Sequence, residues 1–184
     1  MLYRRIADPL PHAKALPVPT SMLVRIRMLF GIALAIGLVA AVNRVLIGGT
    51  GMPLLITPIG ASATLLFGTP KSPIASPWAV IGGSTVSALA AVGVARLVHD
   101  QAIASPLAVA AAISIMWALR CFHPPGAAVA LSAVVGNAAI RDAGFSFALL
   151  PICVDSLLLV VAHRLVGMLT LRTSFRLARV HRGL

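Results

Sequence analysis

Apolar runs without a single charge alternate with short polar breaks along this chain. Met28–Asn43, Ser72–Ala95 and Ala102–Leu119 contain no Lys, Arg, Asp or Glu. A helix crossing the hydrocarbon of a bilayer needs about 20 mostly apolar residues, and these runs approach or exceed that length. The pattern predicts full spans over about 22–47, 77–98, 106–119 and 145–169, the third opened by Pro106. Gly48-Gly49-Thr50-Gly51 ends the first span, His99-Asp100-Gln101 follows the second, and Arg141-Asp142 precedes the last. The opening of the chain reads as a proline-rich lead-in and an uncleaved first span rather than a cleavable signal.

Two further apolar stretches are interrupted. In 53–68 the break falls at Thr57-Pro58. Proline disfavours helix at the residue before it and suits the first turn of a new one. The expected form is extended over 53–57 and helical over 58–68. At ~3.3 Å per extended and ~1.5 Å per helical residue, such a segment reaches ~33 Å, enough to cross the hydrocarbon. The second stretch, 120–136, breaks at His123-Pro124-Pro125.

The two stretches match each other. Pro58-Ile59-Gly60-Ala61-Ser62-Ala63-Thr64-Leu65 aligns with Pro124-Pro125-Gly126-Ala127-Ala128-Val129-Ala130-Leu131 at an offset of 66 residues. Each follows one span and precedes another. The fold class expected is therefore an all-α membrane protein with four full transmembrane helices and two broken, half-helix segments in a two-fold internal repeat. The transmembrane domain covers 22–170, with halves of about 22–99 and 103–169, between a cytoplasmic segment 1–21 and a basic tail 171–184. If the broken stretches cross fully, the halves are inverted and the chain crosses six times; if they are re-entrant, only four spans cross. Charge slightly favours six, because Arg44, Arg96 and Arg141 are then the outer cations and the rest lie inside.

Composition agrees with membrane residence. The chain is 59% hydrophobic and only 10% charged, whereas a soluble domain carries about a quarter charged residues. The net charge of +11 arises from 15 Lys and Arg against four Asp and no Glu. Nucleic-acid binding is not the reading, because the positive residues flank apolar spans instead of forming a polar domain. Arg4, Arg5, Lys14, Arg25 and Arg27 precede or open the first span, and Arg164, Arg172, Arg176, Arg179 and Arg182 close the chain. That is the positive-inside signal. It places both termini in the cytoplasm, in a multi-pass protein of a bacterial inner membrane. The tail is read either as a surface helix or as a solvated charged segment. Cys121 and Cys153 read as reduced, membrane-buried thiols. A stripe of small residues, Gly83, Ser87, Ala91 and Ala95, permits close helix contact in lipid and suggests a homo-oligomer.

The interrupted segments carry the candidate chemistry. A helix N-terminus exposes unpaired N–H groups and a partial positive charge, so it can hold an anion. Short, Gly/Pro-interrupted segments at matching places in two halves point to a transport site. The candidate anion-binding set is Thr57, Pro58, Gly60, Ala61 and Ser62 from one segment and His123, Pro124, Pro125, Gly126 and Ala127 from the other, with Thr64 a further hydroxyl donor. His123 is either a ligand and proton-coupling group or a structural cap. Asp155 is either a proton or cation partner or an ion pair or cap near the membrane surface. Asn43 and Arg44 read as interfacial, and Trp78 and Trp117 as headgroup anchors. No Walker, Rossmann, nucleophile-elbow or zinc pattern is present. The chain is not expected to be an enzyme or to need a cofactor or metal.

His123-Pro124-Pro125, within Arg120-Cys121-Phe122-His123-Pro124-Pro125-Gly126-Ala127-Ala128-Val129-Ala130-Leu131, resembles the signature of the HPP family of integral membrane proteins. Gly60-Ala61-Ser62-Ala63-Thr64-Leu65-Leu66-Phe67 and Pro70-Lys71-Ser72-Pro73 resemble its second block, and Ser87-Ala88-Leu89 falls where it has a third. The resemblance covers about 22–170. It implies about four transmembrane helices and, through plastid and cyanobacterial relatives linked to nitrite transport, a transporter or channel for a small anion with nitrite leading. A non-transporting sensor or assembly module is the alternative. The chain departs from the pattern at Ser84, where relatives often carry His, at Trp78-Ala79, where an Arg-Asn pair is common, and at Ala127, where a second glycine is frequent.

Overall fold

The computed structural model describes residues 21–181, with side chains described as far as Met168. The readings placed on 1–20 and on 182–184 lie outside it. Among the described residues four helices are long and apolar enough to cross a membrane: Met22–Leu46, Ala79–Leu97, Gln101–Ala118 and Ala148–Met168. Among the described residues there are no strands.

Helix α1 is Met22–Leu46, and α2 is the short Thr57–Gly68. Helix α3, Ser84–Leu97, is entered through a wide π-helical turn at Ala79–Gly83. Next come α4 at Gln101–Ala118, the short α5 at Pro125–Val135 and the small α6 at Ala138–Ala143. Helix α7, Val154–His181, is entered through a second π-helical turn at Ala148–Cys153. The interruption at that turn has a local cause. Pro151 removes a donor and pushes Leu150 out of the helical region, to φ −125° and ψ 111°. The last span therefore begins bent. Helix α7 continues unbroken through the basic tail to His181.

Two boundaries differ from expectation. Helix α4 starts five residues before Pro106, because the Asp100 carboxylate accepts the Ala102 N–H at 2.8 Å and caps it. Pro106 is carried inside the helix, on an exposed face. Helix α2 starts at Thr57, so the extended residue is Ile56, with φ −101° and ψ 132°.

The side-chain links fix the ends of the bundle. At one end the Arg96 guanidinium lies 4.9 Å over the Phe145 ring, and Asn137 Nδ2 donates to Gly51 O at 2.9 Å. This end gathers the close of α1 and α3 and the start of α7. At the other, basic end, Trp78 Nε1 donates to Leu119 O at 3.1 Å, and Phe67 packs edge-on against His163 with centroids 4.9 Å apart. Each broken segment therefore carries the chain from one end to the other. The path 47–68 returns from the far end to the basic end, and 120–137 makes the opposite journey.

Helix α1 buries only Gly31, Ala35, Val39 and Asn43, one residue per turn on a single stripe. Its other faces present large apolar side chains outward, as lipid contact demands. Trp78 and Trp117 are both exposed near the basic end. The small-residue stripe of α3 works inside the protomer. Gly83, Ser87 and Ala91 are buried, and α3 packs on α4 and α5. A Cβ at Gly83 would stand 2.5 Å from Cys121 O and 2.8 Å from His123 Cβ. The expected homo-oligomer thus loses the face on which it was argued.

Helix α4 ends in a Schellman motif. Cys121 N bonds Met116 O at 2.9 Å, Arg120 N bonds Trp117 O at 3.1 Å, and Arg120 takes the left-handed φ of 53° usually given to glycine. That reversal delivers Cys121 and His123 back into the protein directly ahead of α5.

Candidate functional site

His123 is fully buried and joins the two broken segments. Its Nδ1 lies 2.9 Å from Ile74 O, and its Nε2 lies 2.9 Å from Ser62 Oγ. A carbonyl only accepts, so Nδ1 carries the hydrogen of the neutral ring. Nε2 then accepts from the Ser62 hydroxyl. Ser62 lies about one and a half turns into α2, while His123 stands two residues ahead of α5. The starts of the short helices therefore pass side by side rather than tip to tip.

The exposed-donor picture of these starts is changed by local bonding. Gly126 N donates to His123 O at 2.8 Å and Ala127 N to Pro124 O at 3.0 Å; in α2, Ile59 N donates to Ile56 O at 2.9 Å. Pro58, Pro124 and Pro125 have no N–H to offer. The two matching glycines also differ. A Cβ on Gly126 would meet Ser87 Oγ at 2.7 Å, Gly83 O at 3.1 Å and Met116 Sδ at 3.2 Å, so this backbone is enclosed by α3 and α4. A Cβ on Gly60 would meet nothing within 4 Å. Of the remaining candidates, Pro58 and Pro125 are buried and Ala127 is half-buried. Thr57, Ala61 and Pro124 are exposed. Thr64 spends its hydroxyl on Gly60 O.

A polar cavity of about 480 Å³ opens at the basic end, beside the segment that holds His123. Lys71, Arg164 and His163 line it together with Ser72 and Ser76. It is flanked by Pro73 and Ala75, the neighbours of the Ile74 carbonyl bound to His123. His163 also borders a second cavity of about 240 Å³ with Arg27 and Phe67. Its Nδ1 is buried without a hydrogen-bond partner. Sequence reasoning passed over Lys71 and His163, because nothing local marks a connector lysine or a helical histidine as sharing one cavity.

Asn43 and Asp155 correct the sequence reading most directly. Both are fully buried. Asn43 faces the protein interior: its Nδ2 donates to Leu54 O and to Asp155 Oδ1, each at 2.9 Å. Asp155 has no solvent exposure and no cation as hydrogen-bond partner. It has one hydrogen-bond partner, an amide 112 residues away in sequence. The pair ties the end of α1 to the start of α7. Cys121 and Cys153 are free thiols, Cys121 buried and Cys153 partly so.

Residues 17–175 match the HPP family's transmembrane region. The chain belongs to the HPP transmembrane family. Two transmembrane proteins of Dictyostelium discoideum are similar to it. One is 37% identical over 130 residues, which are 68% of this chain and 45% of the relative. The other is 37% identical over 117 residues, which are 61% of this chain and 37% of the relative. This HPP chain thus spans less than half the length of either. No solved structure matches it. It is a multi-pass membrane protein, and the family's histidine–proline–proline sequence is here the link between its two broken segments.

Proposed function

We propose that this HPP protein passes a small inorganic anion across a membrane, nitrite being the leading solute. The observation that carries this reading is the cavity at the basic end, where Lys71, Arg164 and His163 converge beside the Ile74–His123–Ser62 chain. Cations around a partly dehydrated concavity raise the local concentration of an anion and speed its capture. The Ser62 hydroxyl, released from His123, is the donor such a solute takes next, with the open flank of α2 at Gly60 and Ala61 beside it. Thr57 and Pro58 shape the start of that flank. Pro124, Pro125, Gly126 and Ala127 hold His123 in place. The basic end faces the cytoplasm of a bacterial cell in this reading, with both termini on that side.

The test is nitrite flux in proteoliposomes at alkaline pH, with protein-free vesicles subtracted because undissociated nitrous acid crosses lipid unaided. Wild-type protein raises flux above the vesicle background. Lys71→Gln/Arg164→Gln lowers it about tenfold at low ionic strength and less at high salt. Background flux from folded wild-type protein, for nitrite and other small anions alike, removes the reading. A second reading, a non-transporting membrane module, draws on the enclosed Gly126 and the fully bonded His123, which make the second break a packing device. That same null flux would favour it.

A further inference from the structure

Among the described residues three buried side-chain polar atoms have no hydrogen-bond partner, and two of them belong to one pair: Asn43 Oδ1 and Asp155 Oδ2. The orientation of the amide is set by its neighbours. Both hydrogens of Nδ2 are spent, on Leu54 O and on Asp155 Oδ1. Turning the amide over would set its oxygen against two acceptors, so Oδ1 stays without a donor. An ionised Asp155 would hold a desolvated charge inside the bundle with one hydrogen bond to support it. The charged and titratable groups on the elements packed around it are few. Helix α1 contributes Arg44, which is exposed, and Arg25 and Arg27 at its opposite end; the π-helical turn contributes Cys153; α7 contributes His163 and Arg164, two turns further on. Helix α3 contributes Arg96, already engaged over Phe145, while α2 and 47–56 contribute none. None of these is a hydrogen-bond partner of Asp155 Oδ2.

One proton resolves both vacant acceptors. As an acid, Asp155 donates from Oδ2 to the Asn43 carboxamide oxygen while Oδ1 keeps the Nδ2–H bond, so acid and amide are matched in both directions. We propose that Asn43 and Asp155 form a proton-binding site. Asp155 rests as the carboxylic acid and, in each cycle, releases its proton to water at the far end of the bundle, becoming the carboxylate; no other bond changes. The site rests on the anion-passage reading for its role, which is to couple proton movement to the anion. It is distinct from Ser62–His123, where every polar atom already has a partner.

Two measurements test it. In sodium-free proteoliposomes, both sides kept alkaline, an inward proton gradient should make wild-type protein accumulate nitrite, by about tenfold per unit of pH difference for one proton per anion. Asp155→Asn keeps the two-way pairing and cannot release a proton. It should lose accumulation while retaining exchange of nitrite between equal pools. Accumulation by Asp155→Asn equal to wild type, or accumulation driven by sodium instead of protons, overturns the proposal and leaves anion passage standing. Infrared spectroscopy of the wild type supplies a readout independent of flux. A protonated-carboxyl C=O band near neutral pH, shifted by 13C-aspartate and absent from Asp155→Asn, supports the site; its absence from wild type overturns it. If wild type neither accumulates nor exchanges nitrite, the function reading falls, and the band alone decides whether the proton site stands.

Discussion

Two buried polar links hold distant parts of this bundle together, and they differ in how fully their atoms are matched. Ser62, His123 and the Ile74 carbonyl join α2, the approach to α5 and the connector before α3, and each imidazole nitrogen has a partner. Asn43 and Asp155 join α1 to α7, and one oxygen on each is left over. A buried polar network whose members are all bonded specifies an arrangement, whereas a partly bonded one stores a free energy that a proton or an ion can release. The first link reads as a pin, the second as a binding site.

The contrast can be broken from either side. His123→Leu removes two bonds and strands the Ser62 hydroxyl and a carbonyl, so it should cost about 3 kcal/mol, read as a lowered midpoint of thermal denaturation in detergent micelles. Asn43→Leu frees the Leu54 carbonyl and leaves Asp155 alone, with an expected loss of about 2 kcal/mol. Ser62→Ala strands only the His123 Nε2 acceptor and should cost about 1 kcal/mol. Combined with His123→Leu it should add little, because the pair acts as one unit. Asp155→Asn should cost about 1 kcal/mol, since amide against amide reproduces the two-way bonding and adds one N–H without an acceptor. A loss as large as that of Asn43→Leu would mean the carboxyl is native as a charge, and the contrast drawn above would fail.

Much of the architecture was legible along the chain. Uncharged length marks a span whatever packs against it, and Pro58 and Pro125 start helices for reasons confined to their own rings. The Asp100 cap is also legible, although Pro106 is the more conspicuous start signal. Partnership was harder to read. In an apolar bundle the lipid-facing and core-facing positions of α1 are both hydrophobic, so periodicity separates them poorly. The stripe Gly83, Ser87 and Ala91 was recognisable as a contact face, yet its partner turned out to be the same protomer. Asn43 and Asp155 are separated by most of the chain, and nothing local to either announces the other. Of the proposed anion ligands, Ser62 and His123 are brought together. Gly126 is not available, because its neighbours on α3 and α4 belong to a packing that the aligned repeat does not encode.

The complete bonding of His123 has a practical consequence. An imidazole with both nitrogens occupied and no exposed surface resists acylating reagents such as diethyl pyrocarbonate, whereas the exposed His99 is open to them. Modification at position 123 therefore registers only excursions in which the short helices part. The histidine is a built-in reporter of that excursion, and its labelling rate with and without solute measures how often the bundle opens.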